Sequence, residues 1–308
     1  MGKVFITGST GFVGINLIEY LAVRSKTVVG VSRKKNETST TIDYLNFDSE
    51  LLSAGTVVIH LAGKAHDLKK TSNDNGYYEA NFELTKRLYD QFLKSDAKIF
   101  IYTSSVKAAA DSVIGVLTEE DLPHPMTTYG KSKLMAEEYI LSKELAEGKR
   151  VFILRPCMIH GPGNKGNLNL LFQMVKKGLP WPLGAFENSR SFLSVENLCF
   201  IINELLENES IPSGVYQVAD DEPISTNELI DLLGTALGKK NKIWSINASV
   251  IQSIARMGDV IPFPLNSERL RKLTENYVVS NTKIISAIGK PLPLRSKEGL
   301  LKTFNSFK

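Results

Sequence analysis

Tyr129 and Lys133 stand four residues apart, so on a helix their side chains share one face. A phenol with a pKa of about 10 is a weak base at neutral pH, but a neighbouring ammonium group favours the phenolate. Such a tyrosine can protonate a carbonyl oxygen that receives hydride, or remove the proton from an alcohol. The spacing therefore predicts an acid-base pair for oxidation or reduction at carbon, in which Lys133 lowers the pKa of Tyr129.

Two serines precede this helix. Ser104 and Ser105 follow the apolar run KIFIYT, which is typical of a buried strand. Because α/β enzymes build their sites at the carboxyl ends of strands, a serine here can hydrogen-bond the reacting oxygen. We predict Ser105, in preference to Ser104, as the third catalytic residue. The alternative is that the pair of Tyr129 and Lys133 lies on an exposed helix face without a catalytic role.

Glycines recur at every third position between the apolar run KVFIT and a helical pattern with apolar residues at Ile15, Leu17, Ile18 and Leu21. A helix N-terminus presents unpaired N–H groups, and glycines let a pyrophosphate approach them closely. We predict a dinucleotide site here; a tight turn needed only for its backbone angles is the alternative. The residues assigned to it are Gly8, Thr10, Gly11, Phe12, Val13 and Gly14.

The end of the second predicted strand reads Ser-Arg-Lys-Lys, where an NAD site usually has an acidic residue for the adenosine ribose. Arg33, supported by Lys34, can instead pair with a 2′-phosphate, so we predict NADP(H), with NAD(H) as the alternative. Asp48 lies at the expected end of the third strand. It is assigned either to the adenine amino group or to a surface cap.

A later strand ends in the sequence HLAG. Its small residues would let the chain pass close to the cofactor, so Leu61, Ala62 and Gly63 are assigned to cofactor binding. His60 lies inside the strand and not at its exposed tip. We therefore expect His60 to be structural.

The elements that must position these residues alternate along the first half of the chain. Apolar runs suited to strands are separated by helical patterns, including helices over about 79–94 and 129–146. This alternation predicts an α/β fold with a doubly wound parallel sheet. After Pro156 the alternation is broken by stretches rich in glycine and proline. We predict a nucleotide-binding domain and a smaller, interleaved substrate lobe, made respectively of 1–163 with about 192–221, and of 164–191 with 222–308.

Composition limits the class of protein. The chain of 308 residues is 43% hydrophobic and 23% charged, and no apolar run is long enough to span a membrane. Its net charge of +4 is small and its basic residues are dispersed, which argues against a nucleic-acid surface. Cys157 and Cys199 lie in apolar stretches and are expected as buried thiols in the cytoplasm. No metal site is assigned.

Taken in order, the motifs TGSTGFVG, HLAG, TSS, YGKSK and RP followed by HGPGN resemble the extended short-chain dehydrogenase/reductases, which include nucleotide-sugar epimerases, dehydratases and reductases. The resemblance spans almost the whole chain. It implies that Tyr129, Lys133 and Ser105 are catalytic and that Lys133 also bonds the nicotinamide ribose. It further assigns Asn81 to the cofactor site and implies a possible homodimer through the helices near 79–94 and 129–146.

The stretches SSVKAAAD, GPGNKGNLNLLFQMVKKGLPWPLG and SRSFLSVENL resemble bacterial 4-keto reductases of surface-polysaccharide pathways, often labelled UDP-glucose 4-epimerases. The resemblance implies a UDP-sugar substrate. It places Arg190 near the nucleotide diphosphate, where its planar fork suits phosphate, and Asn164 and Asn167 on the loop beside the substrate. Arg271 is a second candidate for the diphosphate, and Lys107 is an unusual charge close to the reacting sugar.

Departures from the family pattern separate the possible activities. No Asp-Glu pair follows Ser105, which disfavours a 4,6-dehydratase, and the stretch RPCMIHG lacks the segment common in galactose epimerases. We therefore predict a UDP-sugar 4-keto reductase, with a 4-epimerase that retains NAD as the alternative. Two further possibilities are a dehydrogenase of small aldehydes or ketones and a non-catalytic NADP(H) sensor.

Overall fold

Seven parallel strands form the central sheet of the chain, whose computed structural model describes residues 2–33, 40–65, 75–164, 166–261 and 265–308. Two short additional sheets pair β6 with β11 and β8 with β9. The strands are β1 (Val4–Thr7), β2 (Val28–Val31), β3 (Thr40–Ile42), β4 (Val57–His60), β5 (Ile99–Thr103), β6 (Val116–Leu117), β7 (Arg150–Pro156), β8 (Met158–His160), β9 (Phe192–Ser194), β10 (Gly214–Val218) and β11 (Val278–Val279).

The strand order of the central sheet is β10-β7-β5-β4-β1-β2-β3. The chain runs outward from β1 to β3, then returns to the other side of β1 with β4. In an open parallel sheet, the point where the order reverses leaves a crevice at the carboxyl ends of the strands. Here that point lies between β1 and β4, so the glycine turn after Thr7 and the HLAG segment after His60 meet at the crevice.

Helices cover both faces of the sheet, which explains why its strands are almost entirely apolar. The predicted α/β class with a doubly wound parallel sheet is confirmed. The α-helices of the described residues are α1 (Phe12–Ala22), α2 (Asn75–Tyr78), α3 (Leu84–Lys94), α4 (Thr128–Leu141), α5 (Asn167–Lys176), α6 (Val195–Glu207), α7 (Thr226–Leu237), α8 (Ala248–Val260), α9 (Ser267–Thr274), α10 (Thr282–Ile288) and α11 (Ser296–Asn305).

The glycine turn has steric reasons for two of its glycines. Gly8 has a φ of +68°, and a Cβ there would lie 2.9 Å from the backbone nitrogen of Ala62. A Cβ on Gly14 would lie 2.3 Å from the carbonyl oxygen of Gly8. The turn therefore packs closely against both α1 and the end of β4. Helix α1 buries Gly14, Leu17, Ile18 and Leu21, whereas Ile15, which the apolar spacing assigned to the same face, is 42% exposed.

Three predicted element bounds were wrong. The third strand ends at Ile42, well before Asp48, because the intervening residues form a 3-10 turn over Tyr44–Asn46. The helix expected over 129–146 ends at Leu141, and turns follow it. The helix expected over 79–94 begins earlier, at Asn75, and contains a π-helical segment over Glu79–Glu83. Apolar periodicity alone does not show where capping or an extra residue per turn interrupts an α-helix.

A third hydrophobic cluster lies apart from the two that flank the sheet. It joins apolar side chains from α5, α7, α8, α9 and α11 with Trp181, Leu183, Phe192 and Ile224. This is the region assigned to the substrate lobe, and the division into two lobes stays a prediction. No helix within the described ranges is long and apolar enough to cross a membrane.

Candidate active site

Ser105 lies two residues beyond the end of β5, where it caps a 3-10 turn over Val106–Ala108. Its Oγ accepts a hydrogen bond from the backbone nitrogen of Lys107 at 3.2 Å. Tyr129 lies in the first turn of α4, whose cap is Thr127, with Oγ1 accepting from Gly130 N. Strand end and helix start thus carry the two side chains into the same region.

The hydroxyl of Ser105 lies beside the phenol of Tyr129 and interacts with it. Burial raises the pKa of the Tyr129 phenol, the interaction with Ser105 lowers it, and nearby Tyr77 raises it, so that the pKa is raised on balance. The rings of Tyr77 and Tyr129 meet edge to face, with centroids 6.3 Å apart. The phenol therefore stays protonated at neutral pH, which suits proton donation to an oxygen.

Lys133 is 4% exposed and lies one turn after Tyr129. Its Nζ donates to the carbonyl oxygen of Thr103 at 2.9 Å. Burial lowers the pKa of Lys133 to about 8, and the Glu137 carboxylate opposes that shift. We expected Lys133 to lower the pKa of Tyr129, but in this structure Ser105 provides the lowering, because the ammonium group is directed at the carbonyl of Thr103.

Glu137 and Arg155 form a buried ion pair that sequence reasoning missed. Their side chains are 1% and 5% exposed, and Arg155 donates to the carboxylate through Nη2 at 2.6 Å and Nε at 3.0 Å. Ser104 donates its hydroxyl to the same carboxylate. The Ser104 hydroxyl is thus engaged with Glu137, and the choice of Ser105 as the catalytic serine stays a prediction. The signal in the sequence was the spacing of four that links Tyr129, Lys133 and Glu137.

Asn81 is fully buried in the π-helical segment. Its Oδ1 accepts from Lys64 N at 2.7 Å, and its Nδ2 donates to Lys64 O and to Ser132 Oγ, each at 3.0 Å. It therefore fastens the loop after β4 to the helix that carries Tyr129 and Lys133. These contacts also explain why residue 63 is a glycine. A Cβ there would lie 2.8 Å from Asn81 Oδ1 and 3.1 Å from Lys133 Nζ.

His60 is bonded through both ring nitrogens. Nδ1 lies 2.6 Å from Thr7 Oγ1, and Nε2 lies 2.8 Å from Thr85 Oγ1. Thr85 donates to Asn81 O, so its oxygen accepts from a protonated Nε2, and Thr7 is left to donate to Nδ1. Burial and the charge of Lys133 lower the pKa of His60 to about 3. The neutral ring is a structural tie between β1, β4 and the helix of Asn81, as expected.

The adenosine end of the expected cofactor site contains an aromatic residue that the sequence did not single out. Tyr44 Oη accepts from the backbone nitrogen of Gly8 at 3.1 Å, and its pKa is raised by burial and lowered by Gly8 and by the charge of Arg33. The charge of Arg33 thus acts on Tyr44, while Lys34 falls outside the described residues. Asp48 is exposed and caps a 3-10 turn, accepting from Glu50 N and Leu51 N, so its surface-cap alternative is the observed contact.

Three cations assigned to the substrate lie within electrostatic reach of one another. Burial lowers the pKa of Lys107, nearby Asp111 and Glu275 oppose this shift, and Arg190 and Arg271 add to it. Lys107 Nζ donates to Asp111 O at 2.9 Å, and Arg190 Nη1 donates to Lys272 O. Arg271 is exposed and lines a cavity of about 300 Å³ with Phe186 and Arg256, among others. The structure therefore brings the predicted substrate cations together.

The loop asparagines are placed differently. Asn164 donates to Ile159 O at 2.9 Å and accepts from Gly166 N at 2.6 Å, so its amide shapes the loop itself. Both polar atoms of this amide already bond within the loop, so substrate contact by Asn164 stays a prediction. Asn167 begins α5, but its side chain falls outside the described residues.

The residues of the crevice fit a dinucleotide. Gly11, the N-cap of α1, offers no side chain to bond the first N–H groups of the helix, and Phe12 and Val13 form its first turn. Thr10 and Gly11 are exposed at the turn, whereas Leu61 is half-buried and Ala62 is buried against Gly8. Free N–H groups at a helix start suit a pyrophosphate. The described residues hold no cluster of His, Cys, Asp and Glu suited to a metal ion.

This fold and site define a Rossmann-type, nicotinamide-dependent enzyme. Residues 4–219 match the NAD dependent epimerase/dehydratase family, and the chain belongs to that family. The UDP-glucose 4-epimerase of Vibrio cholerae is 34% identical over 318 residues, covering 99% of this chain and 95% of that protein. The GDP-6-deoxy-D-mannose reductase of Pseudomonas aeruginosa is 30% identical over 275 residues, covering 83% of this chain and 84% of that protein.

A solved structure has the same fold. MoeE5 in complex with UDP-glucuronic acid and NAD superposes with a TM-score of 0.77 and 20% identity, covering 99% of this chain and 98% of that one. This likeness confirms the fold of the whole chain, including the part beyond residue 219.

Proposed function

We propose that the protein transfers hydride between a nicotinamide cofactor and carbon 4 of a UDP-sugar. The observation that carries the proposal is that Ser105 lies beside the phenol of Tyr129 at the carboxyl end of β5, near the buried Lys133. Tyr129, protonated at neutral pH, gives its proton to the sugar oxygen as hydride arrives, and Ser105 bonds the same oxygen. The cofactor supplies or accepts the hydride. Lys133, buried beside the site, would hold the nicotinamide ribose.

The group of Lys107, Arg190 and Arg271 supports an anionic substrate. Neighbouring cations are suited to a diphosphate, because each charge-assisted hydrogen bond is stronger than a neutral one. The Vibrio relative is named for UDP-glucose, and MoeE5 binds UDP-glucuronic acid. A UDP-sugar is therefore the substrate class we assign, with the uridine diphosphate as the part that binds most tightly.

Within this class we propose a 4-keto reductase that uses NADP(H). Arg33 follows β2 and acts on Tyr44, which bonds the glycine turn, so a 2′-phosphate bound beside Tyr44 would meet a cation. A reductase releases oxidised cofactor and binds NADPH in each turnover, so it does not need to retain NAD. The Pseudomonas relative is named as a reductase, which favours a reductase over an epimerase. The alternative is a UDP-hexose 4-epimerase that retains NAD, and the name of the Vibrio relative favours it.

One experiment separates the two activities. Purified protein is mixed with NADPH and a UDP-4-keto-6-deoxy-N-acetylhexosamine, the loss of NADPH absorbance is followed, and denatured protein is assayed for released cofactor. A reductase consumes one NADPH for each sugar reduced. An epimerase interconverts UDP-hexoses without net consumption and releases NAD(H) on denaturation. If neither reaction occurs and UDP does not bind in calorimetry, the UDP-sugar proposal is wrong.

The cofactor preference has its own test. Arg33→Ala is expected to weaken NADPH binding by tenfold or more and to leave NADH binding within about twofold, because only NADPH carries the phosphate that Arg33 meets. Arg87→Ala is the matched control, since Arg87 is also an exposed arginine beside Tyr44, donating to its carbonyl oxygen at 2.9 Å. Equal loss for both cofactors in Arg33→Ala would refute the assignment.

A further inference from the structure

Tyr277 connects two parts of the site that are far apart in the chain. Its backbone nitrogen donates to Ser189 O at 2.8 Å, and its carbonyl accepts from Ser191 N at 2.9 Å. These two bonds enclose Arg190 and make Tyr277 its neighbour in an isolated parallel bridge. The position of Arg190 is therefore fixed against the backbone of Tyr277.

The side chain of Tyr277 reaches the turn that follows Ser105. It is 5% exposed, and its hydroxyl is placed between the carbonyl oxygens of Ala110 at 2.6 Å and Val106 at 3.2 Å. These two carbonyls bracket the turn that Ser105 caps. The ammonium group of Lys107, from the same turn, lies 4.1 Å from the centre of the Tyr277 ring. The single hydroxyl hydrogen of Tyr277 is thus shared between the first residue of the turn and a residue just beyond its end, with the shorter distance to Ala110, and the Tyr277 ring contacts Lys107 of the turn.

We propose that Tyr277 is a positioning residue that keeps Ser105 in register with Arg190. This inference rests on the proposed function, in which Ser105 bonds the reacting oxygen and Arg190 the diphosphate. Carbon 4 and the diphosphate belong to one bound sugar nucleotide, so the residues that contact them must be held at a suitable separation. A turn that shifted against Arg190 would leave the substrate bound but misplace the serine hydroxyl, and small misplacements of catalytic groups are costly in rate.

The test is Tyr277→Phe, which removes the hydroxyl and keeps the ring under Lys107. We expect kcat to fall about tenfold, while KM for the UDP-sugar and the Kd for UDP stay within about twofold, because the backbone bonds around Arg190 remain. The limb of the pH profile that reports Tyr129 should also move to higher pH, since Ser105 would no longer bond the phenol. A purely structural contact would change stability without moving that limb.

Tyr216→Phe is the matched control. Tyr216 is 1% exposed on β10, and its hydroxyl donates to Pro212 O at 2.7 Å, away from the site residues. It should lose comparable stability and keep kcat and the pH profile. If Tyr277→Phe behaves like Tyr216→Phe, the positioning role is refuted.

A double-mutant cycle tests whether Tyr277 acts through the serine. In a Ser105→Ala background, Tyr277→Phe should no longer lower kcat, whereas two independent effects would multiply. A readout without substrate keeps this inference separate from the proposed function. The tyrosinate absorbance of Tyr129, obtained by subtracting the titration of a Tyr129→Phe partner, should shift to higher pH in Tyr277→Phe. Turnover of no UDP-sugar would refute the proposed function, while an unmoved titration would refute the role of Tyr277.

Discussion

Replacing Lys133 with methionine should stabilise the cofactor-free protein while abolishing its activity. Lys133 is 4% exposed, and burial lowers its pKa from 10.5 to about 8. At about 1.36 kcal/mol per pKa unit, keeping the charged form in the folded state costs about 3 kcal/mol. Methionine has a similar length and no charge, but it forfeits the hydrogen bond to Thr103 O, worth about 1 kcal/mol. The expected net gain in the free energy of unfolding is about 2 kcal/mol.

The gain must depend on pH in a defined direction. Because the folded-state pKa of Lys133 lies below the unfolded value, the unfolded chain binds more protons between pH 8 and 10.5, and wild-type stability rises across that range. The advantage of Lys133→Met is therefore full below about pH 8 and is lost as the pH approaches 10.5. A residue that serves activity and lowers the free energy of unfolding is a common case of the trade-off between stability and activity.

Urea unfolding followed by circular dichroism, at neutral pH and in steps up to pH 10.5, measures the effect. Lys131→Met is the matched control, because Lys131 lies on the same helix and is exposed. It should change stability by less than about 0.5 kcal/mol at every pH. A Lys133→Met protein no more stable than wild type at neutral pH, or one whose advantage does not fall with rising pH, would refute the reasoning.

Three further substitutions test the site. Tyr129→Phe should abolish turnover and leave NADPH binding, measured by fluorescence, within a few-fold; retained activity would remove Tyr129 from the mechanism. Gly63→Ala should lower kcat and cost about 1–3 kcal/mol in thermal unfolding, because its Cβ would crowd the buried amide of Asn81; an unchanged protein would contradict the 2.8 Å contact. Arg155→Met should cost about 3–5 kcal/mol by leaving Glu137 charged and unpaired, and adding Glu137→Leu should restore most of it; no recovery would show that the charge was not the cause.

Local patterns were sufficient for much of the site. The glycine spacing at Gly8, Gly11 and Gly14 follows from what a strand, a tight turn and a helix start each require of the backbone. The apolar strands could be read because a sheet covered on both faces leaves almost no polar position inside a strand. Ser104 and Ser105 contact different groups, Glu137 and Lys107 N respectively, since consecutive residues at a strand end point to opposite sides.

Other parts could not be read from local sequence. Asp48 was assigned to the end of a strand, yet a 3-10 turn lies between β3 and Asp48, and the Asp48 carboxylate caps a second such turn. Helical spacing led us to assign the lowering of the Tyr129 pKa to Lys133. A lysine side chain is long, however, and the ammonium group of Lys133 donates to the carbonyl oxygen of Thr103. Periodicity predicts which face of a helix carries a side chain, but it does not predict which group the charged end of that side chain contacts.

The sequence by itself determined the fold class, and it predicted the glycine turn and the set of Ser105, Tyr129 and Lys133 as the site, because each pattern depends on residues close together in the chain. Only the tertiary structure decided which distant groups act on them. Tyr277 meets the turn after Ser105 across 171 residues of sequence, and Arg155 meets Glu137 across 18. Such pairs form when strands and helices pack, and their partners are set by burial and by the need of each buried polar group for a hydrogen bond.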